Sequence, residues 1–418
     1  MRKTGAVVPL TLILVLLAAA FVSVAKPASA VEAATENTWT TKPPMRVARG
    51  GLGVASANGK IYAIGGSNES GYNIGPIFKE VVGTNEEYDP ISNTWAFKAS
   101  MPTPRFGFAI AAYQNKIYCI GGMTTEGFTG VNEVYDSLAD SWETKAPMLT
   151  ARSGLQANVV GGKIYLIGGY PASNRSLNEI YDPTTDSWIT KKAMPIGEGS
   201  FASGGSYSAA AIDNKIYIIG EISSDGKRNL NQIYDTLTDS WSYGKSPPAL
   251  VYGVYFGLST AVATTGEKAP KRIYLFSAEP SSNQVYDPET DSWITGKEMP
   301  TRREHLGVAV VNDVLYAIGG RSYSFPYPSG DYNESTIVCA ANEQYTPIGY
   351  GTPDPSYSSS TSATSPIQPS SPTTITANNE SEPFPLLPVA VASVATVAVA
   401  AAGLLVYFKK HKREGEHA

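Results

Sequence analysis

Four arginines carry the clearest chemical signal in the chain. Arg49, Arg105, Arg152 and Arg303 each stand ten residues after a tryptophan, namely Trp39, Trp95, Trp142 and Trp293. The same offset from Trp188 and Trp241 reaches Glu198 and Val251. Guanidinium groups gathered at one equivalent position would favour a carboxylate or another anion. The alternative is that each arginine hydrogen-bonds backbone carbonyls or acids in the next repeat. His305, two residues after Arg303, is the only histidine between residues 31 and 350. A second candidate surface is "RSYSFPYPSGDYNESTIVCAA", residues 321–341, with Tyr323, Phe325, Tyr327 and Tyr332. Aromatic faces beside polar groups suit sugar rings or peptide side chains, and they also serve simply to pin down a long loop. Sequons stand at Asn68, Asn174, Asn333 and Asn379, as candidate glycosylation sites.

Much chemistry is absent. There is no metal-spaced His/Cys cluster, no glycine-rich phosphate loop before a helix and no catalytic motif, so no metal or cofactor is expected. The formal charge of −5 gives no basic surface for nucleic acid. Two cysteines, Cys119 and Cys339, fall in different repeats. A disulfide between them is not expected, and Cys119 reads as a small core residue.

The elements that position these residues are written as repeats. "KIYAIGG" (60–66) returns as "KIYCIGG" (116–122), "KIYLIGG" (163–169) and "VLYAIGG" (314–320). Weaker copies are "KIYIIGE" (215–221) and "RIYLFS" (272–277). Each copy continues through a polar loop to a strand and turn such as "NEEYDPISNTW", "NEVYDSLADSW" or "NQVYDPETDSW". Tyr to Trp is seven residues in all five complete copies. The sixth copy, "NEQYTP" (342–347), lacks its Trp, whereas Trp39 stands alone near the start. A closed ring reconciles the two: the segment around Trp39 completes the last sheet and removes an open edge.

Strand, "IYxIGG", loop, "NxxYDPxTxSW", "MPxPR" resembles the kelch repeat over about residues 37–350. That resemblance implies an all-β, six-bladed β-propeller of four-stranded antiparallel blades, closed by the N-terminal strand pairing into the last blade. It also implies that the arginines line the mouth of the central channel. The loops after Gly-Gly and after Trp would share one face. The longest post-glycine loops belong to blades one and six, neighbours across the seam. The Tyr and Trp of each repeat are expected between blades as scaffold, and glycine is expected wherever a second chain passes close.

The ends have a different composition. Residues 1–30 read as a signal peptide: Arg2 and Lys3, an apolar run, then Ala28-Ser29-Ala30. Residues 31–350 form the propeller. Residues 351–385, rich in Ser, Thr and Pro, read as a disordered stalk. Residues 386–408 are an uncharged run of 23, long enough for one C-terminal transmembrane helix across a core of ~30 Å. Residues 409–418 are a basic tail that marks the cytoplasmic side. The expectation is a single-pass membrane glycoprotein with its propeller outside, binding an extracellular protein or glycan, including anionic ones. The alternative is a sugar-active enzyme, since six-bladed kelch proteins include sialic acid mutarotases.

Overall fold

The computed structural model describes residues 35–68, 80–174, 176–195, 207–222, 228–248, 259–278, 281–323 and 336–357. Within them lie six four-stranded antiparallel sheets. Blade 1 comprises Gly53–Ala57, Lys60–Ile64, Asn85–Asp89 and Thr94–Lys98. Blades 2 to 5 repeat this order, beginning at Ala109, Gln156, Tyr207 and Ser259. Blade 6 takes Gly307–Val311, Val314–Ile318 and Asn342–Thr346 from the end of the ring and Thr38–Lys42 from its start. Trp39 lies opposite Tyr345 in that register, with ring centroids 4.9 Å apart. The first strand of every blade contacts the first strands of both neighbours, so the ring is closed around a central axis. Among the described residues no helix is long and apolar enough to cross a membrane, and the run 386–408 lies outside them.

The core is divided among the interfaces between blades. A separate cluster of buried apolar residues fills each of the six. Cys119 is fully buried in the one between blades 1 and 2, and both cysteines are unpaired as expected. Burial pushes the Cys119 thiol up to about 12. The "IY" tyrosine of each blade meets the "YD" tyrosine of the next, from Tyr62 and Tyr135 at 5.6 Å round to Tyr316 and Tyr88 at 6.0 Å.

Tryptophan fastens blades through its indole N–H. Trp95 donates to Pro43 O, Trp142 to Ala99 O, Trp188 to Ala146 O, Trp241 to Lys192 O, Trp293 to Lys245 O and Trp39 to Lys297 O. Each acceptor lies four residues after the tryptophan of the preceding blade. The indoles are less buried than their repetition suggests. All six lie on the outer strand of their blade; Trp95 is 6% exposed and the other five are half-buried.

A second latch sits at the turn before each tryptophan. Asn37, Asn93, Asp140, Asp186, Asp239 and Asp291 all adopt φ near +50°, a left-handed conformation that Asn and Asp tolerate well. Each accepts a hydrogen bond from its blade's tyrosine hydroxyl. Five of them also accept a backbone N–H from the preceding blade: Lys297, Ala99, Ala146, Lys192 and Lys245. The missing sixth donor would be Pro43, which has no N–H.

Gly-Gly has a specific duty. Gly65, Gly121 and Gly319 have positive φ, and a Cβ on each would lie 2.7–2.8 Å from the carbonyl oxygen of Arg105, Arg152 or Arg49 in the next blade. The following amides, of Gly66, Gly122 and Gly320, donate to those same carbonyls at 2.8–3.0 Å. Where the second glycine is replaced by Glu221, in blade 4, the strand runs on to Ile222 and its partner is longer too.

The two faces of the ring differ. Post-glycine and post-tryptophan loops leave one face, and the turns between first and second and between third and fourth strands leave the other. Both ends of the described chain lie on this second, turn face. Asn37 N bonds Thr346 O at the last strand's exit. The ordered body runs past residue 350. Gly351 N donates to Lys268 O and Asp354 N to Gly266 O, so the first residues of the expected stalk are fastened to the blade 5 insertion. That insertion is itself held by buried Asp313, whose carboxylate accepts the amides of Thr265, Lys268 and Ala269.

Candidate functional site

The repeat brings the four arginines to equivalent places, four residues before each first strand, but not to an open ring. Arg49, Arg105, Arg152 and Arg303 are all 0% exposed. Each is ion-paired to a glutamate on the third strand of its own blade: Glu86 at 3.1 Å, Glu133 at 2.5 Å, Glu179 at 2.6 Å and Glu343 at 2.8 Å. Most of their remaining donors go to backbone carbonyls; Arg49 and Arg303 also reach the thioethers of Met45 and Met299, and the buried Nε of Arg49 and of Arg105 has no hydrogen-bond partner. Arg152 bonds Gly168 O, Thr150 O and Leu166 O, and Arg303 bonds Gly319 O and Ala317 O. Burial pulls the Arg49 guanidinium down to about 10 against the opposing pull of Glu86, and it stays charged at neutral pH. The arginines therefore join blade to blade. The carbonyls of Arg49, Arg105 and Arg152 receive the preceding blade's glycine amides, and all four side chains brace their own third strand. The expectation that they line the channel mouth as an anion site is corrected by this burial.

The partner glutamates were legible but unread. Glu86, Glu133, Glu179 and Glu343 follow the Asn of "NE", and blades 4 and 5 have "NQ" instead, with Gln232 and Gln284. These are the two blades with no Arg at the offset. Arginine and glutamate come and go together, as a buried pair requires.

Blade 6 differs from its sisters at the loop face. Glu304 bridges Arg321 as Gly50 bridges Ser67, Phe106 bridges Met123 and Ser153 bridges Tyr170. His305 takes the place of Gly51, Gly107 and Gly154, which link neighbouring blades: Gly51 N bonds His305 O, Gly107 N bonds Gly51 O and Gly154 N bonds Gly107 O. Glu304 Oε1 lies 3.3 Å from His305 Nε2. The side chain of Arg321 is buried across the seam, above Gly50, where a Cβ would lie 2.8 Å from its Cγ.

The remaining sequence candidates are scattered. Tyr323 ends the short strand Arg321–Tyr323, paired with Thr336–Val338. Asn68 is exposed just after a Gly-Gly pair, and Asn174 is half-buried in a short 3-10 turn, Ala172–Asn174. Glu198, Phe325, Tyr327, Asn333 and Asn379 lie outside the described residues. Among the described residues no three metal-ligating side chains converge.

Fold and braces together define a six-bladed propeller with a constant frame and variable loops. The kelch motif matches residues 48–102, 104–149 and 151–195, and these three repeats together with the six-bladed ring support assignment to the kelch-repeat β-propeller family. Influenza virus NS1A-binding protein homolog of Mus musculus is 42% identical over 79 residues, which are 19% of this chain and 11% of that protein. Alpha-scruin of Limulus polyphemus is 37% identical over 94 residues, 22% of this chain and 9% of that protein. The chain thus matches about a tenth of the length of these relatives. In three dimensions it is similar to YjhT, with a TM-score of 0.52 and 14% identity over 71% of this chain and 96% of that one, a likeness of fold.

Proposed function

We propose that the protein is a membrane-tethered extracellular binding module that offers its loop face to a protein or glycan partner. One observation carries this reading. The repeated Arg, Glu, Tyr, Trp and Asp residues are consumed in holding blades together, and both ends of the ring leave from the turn face. The chain thus enters and leaves the ring on the face opposite the loops, and the loop segments are where the repeats differ in sequence. Residues 1–30 as a signal, a stalk running to residue 385, a span at 386–408 and a basic cytoplasmic tail supply the tether. Glycans at Asn68 and Asn174 would decorate the loop face.

The test uses full chain reconstituted in lipid and applied to glycan and protein arrays. Saturable capture is expected, weakened by Glu126→Arg on the blade 2 loop hairpin and unaffected by Ile91→Arg on the opposite turns. No capture, or the reverse sensitivity, contradicts the reading. A sugar-active enzyme is the second reading, favoured by the Glu304–His305 pair as an acid–base couple. Acceleration of anomeric exchange by NMR would support it, and a rate equal to buffer would end it.

A further inference from the structure

Blades 1 to 3 fill three aligned loop-face positions with nine neutral residues: Gly50, Phe106 and Ser153; Gly51, Gly107 and Gly154; Ser67, Met123 and Tyr170. Blade 6 fills all three with ionisable groups: Glu304, His305 and Arg321. Two features here are unnecessary to the frame. His305 holds φ +52°, where the three sisters use glycine at +61° to +66°. Glycine would make the same backbone link without strain, and strained positions that persist are concentrated at functional sites. Glu304 is 2% exposed, yet its Oε1 accepts no hydrogen bond. A buried acceptor left without a donor is costly, so each such group asks for an explanation. The imidazole covering it is 16% exposed at its side chain, so rotation of His305 would open the carboxylate to the loop face.

We infer that Glu304 and His305 form a recognition pair for a sugar hydroxyl, at the seam between blades 6 and 1. A hydroxyl donates and accepts at once. It can donate to the carboxylate oxygen that lacks a donor and accept from the imidazole N–H. A carboxylate or phosphate would be repelled by Glu304, whereas a neutral hydroxyl can serve both groups of the pair. This rests on the binding-module reading and narrows it to a glycan, with His305 as the contact residue and Glu304 as the acceptor behind it.

The experiment is histidine-selective NMR on the full chain, titrated with a panel of free neutral and carboxylated monosaccharides. His305 is assigned by loss of its signal in His305→Gly, a variant the sister blades show to be compatible with the fold. At least one sugar is expected to move the His305 signal saturably, with at least tenfold weaker binding in Glu304→Gln. Thermal unfolding of His305→Gly is expected at or above the parent midpoint. A panel that leaves the signal unmoved overturns the inference, as does a sugar that binds His305→Gly undiminished. If arrays capture the parent and both variants equally, the binding-module reading stands and this pair is not its site. If they capture nothing, the broader reading falls.

Discussion

Replacing Arg152 with Ala tests the reassignment of the arginines from ligand binding to framework. The substitution removes a guanidinium that is 0% exposed and bonds three carbonyls besides Glu179. Glu179, 2% exposed, would be left buried without its cationic partner. Breaking a buried pair from one side costs about 3–5 kcal/mol, mostly the penalty of the stranded charge. In a ring of this size that corresponds to a fall of roughly 4–8 °C in the unfolding midpoint. The repeats suggest the compensating change. Blades 4 and 5 carry Gln where the others carry Glu, so adding Glu179→Gln should recover part of the loss, with a coupling of about 1–3 kcal/mol. Denaturant unfolding followed by tryptophan fluorescence on the parent, both single variants and the double variant completes the cycle. An unchanged midpoint for Arg152→Ala, or additive losses in the double variant, would refute the framework role.

Three further outcomes follow from the same geometry. Trp95→Ala should cost about 3–5 kcal/mol and the half-buried Trp241→Ala distinctly less, by denaturant titration; equal costs would mean that burial does not set the latch's strength. Asp186, Asp239 and Asp291 have carboxyls held below the usual range, by a tyrosine hydroxyl and a neighbouring blade's amide. A depressed folded value stabilises above the unfolded carboxylate pKa of about 3.9, and that contribution is lost as pH falls through the lower folded value. Stability should therefore drop below about pH 4, and less steeply in the triple Asp→Asn variant, which Asn37 and Asn93 show to be compatible with the turn; identical acid profiles would contradict this. Finally, the native protein should expose no reactive thiol at Cys119, and intact mass under non-reducing conditions should show no Cys119–Cys339 bond. Rapid native alkylation at Cys119 would place it outside the core.

The ring was legible because repetition removes ambiguity. A single "KIYAIGG" is a short apolar run, but the Tyr-to-Trp interval of seven and the stray Trp39 together fix blade number and closure. The close approach that Gly-Gly permits was also readable, though not that the approaching group is the next blade's arginine carbonyl. The arginines illustrate the limit. Spacing located them and left both roles open; exposure decides between them, and exposure depends on a glutamate some 30 residues away on another strand. The absence of Arg from the two "NQ" blades was the available signal. His305 was visible as a lone histidine, but its left-handed backbone emerges only when the repeats are superposed on Gly51, Gly107 and Gly154. The Asp313 clasp had no sequence signature, because it joins a turn of blade 6 to an insertion specific to blade 5.

The most direct test of the whole account is a disulfide across the closure. Thr40 and Gln344 are opposed in the register joining the first and last strands. With Cys119 and Cys339 changed to Ser, Thr40→Cys with Gln344→Cys should oxidise in high yield. Peptide mass spectrometry should then link the segment 38–42 to 342–346, with a raised unfolding midpoint. Thr40→Cys paired with a cysteine at Thr144 on blade 2 should give no intramolecular link. Failure of the first pair to oxidise, or equal linking by the second, would contradict a ring closed between these two ends of the chain.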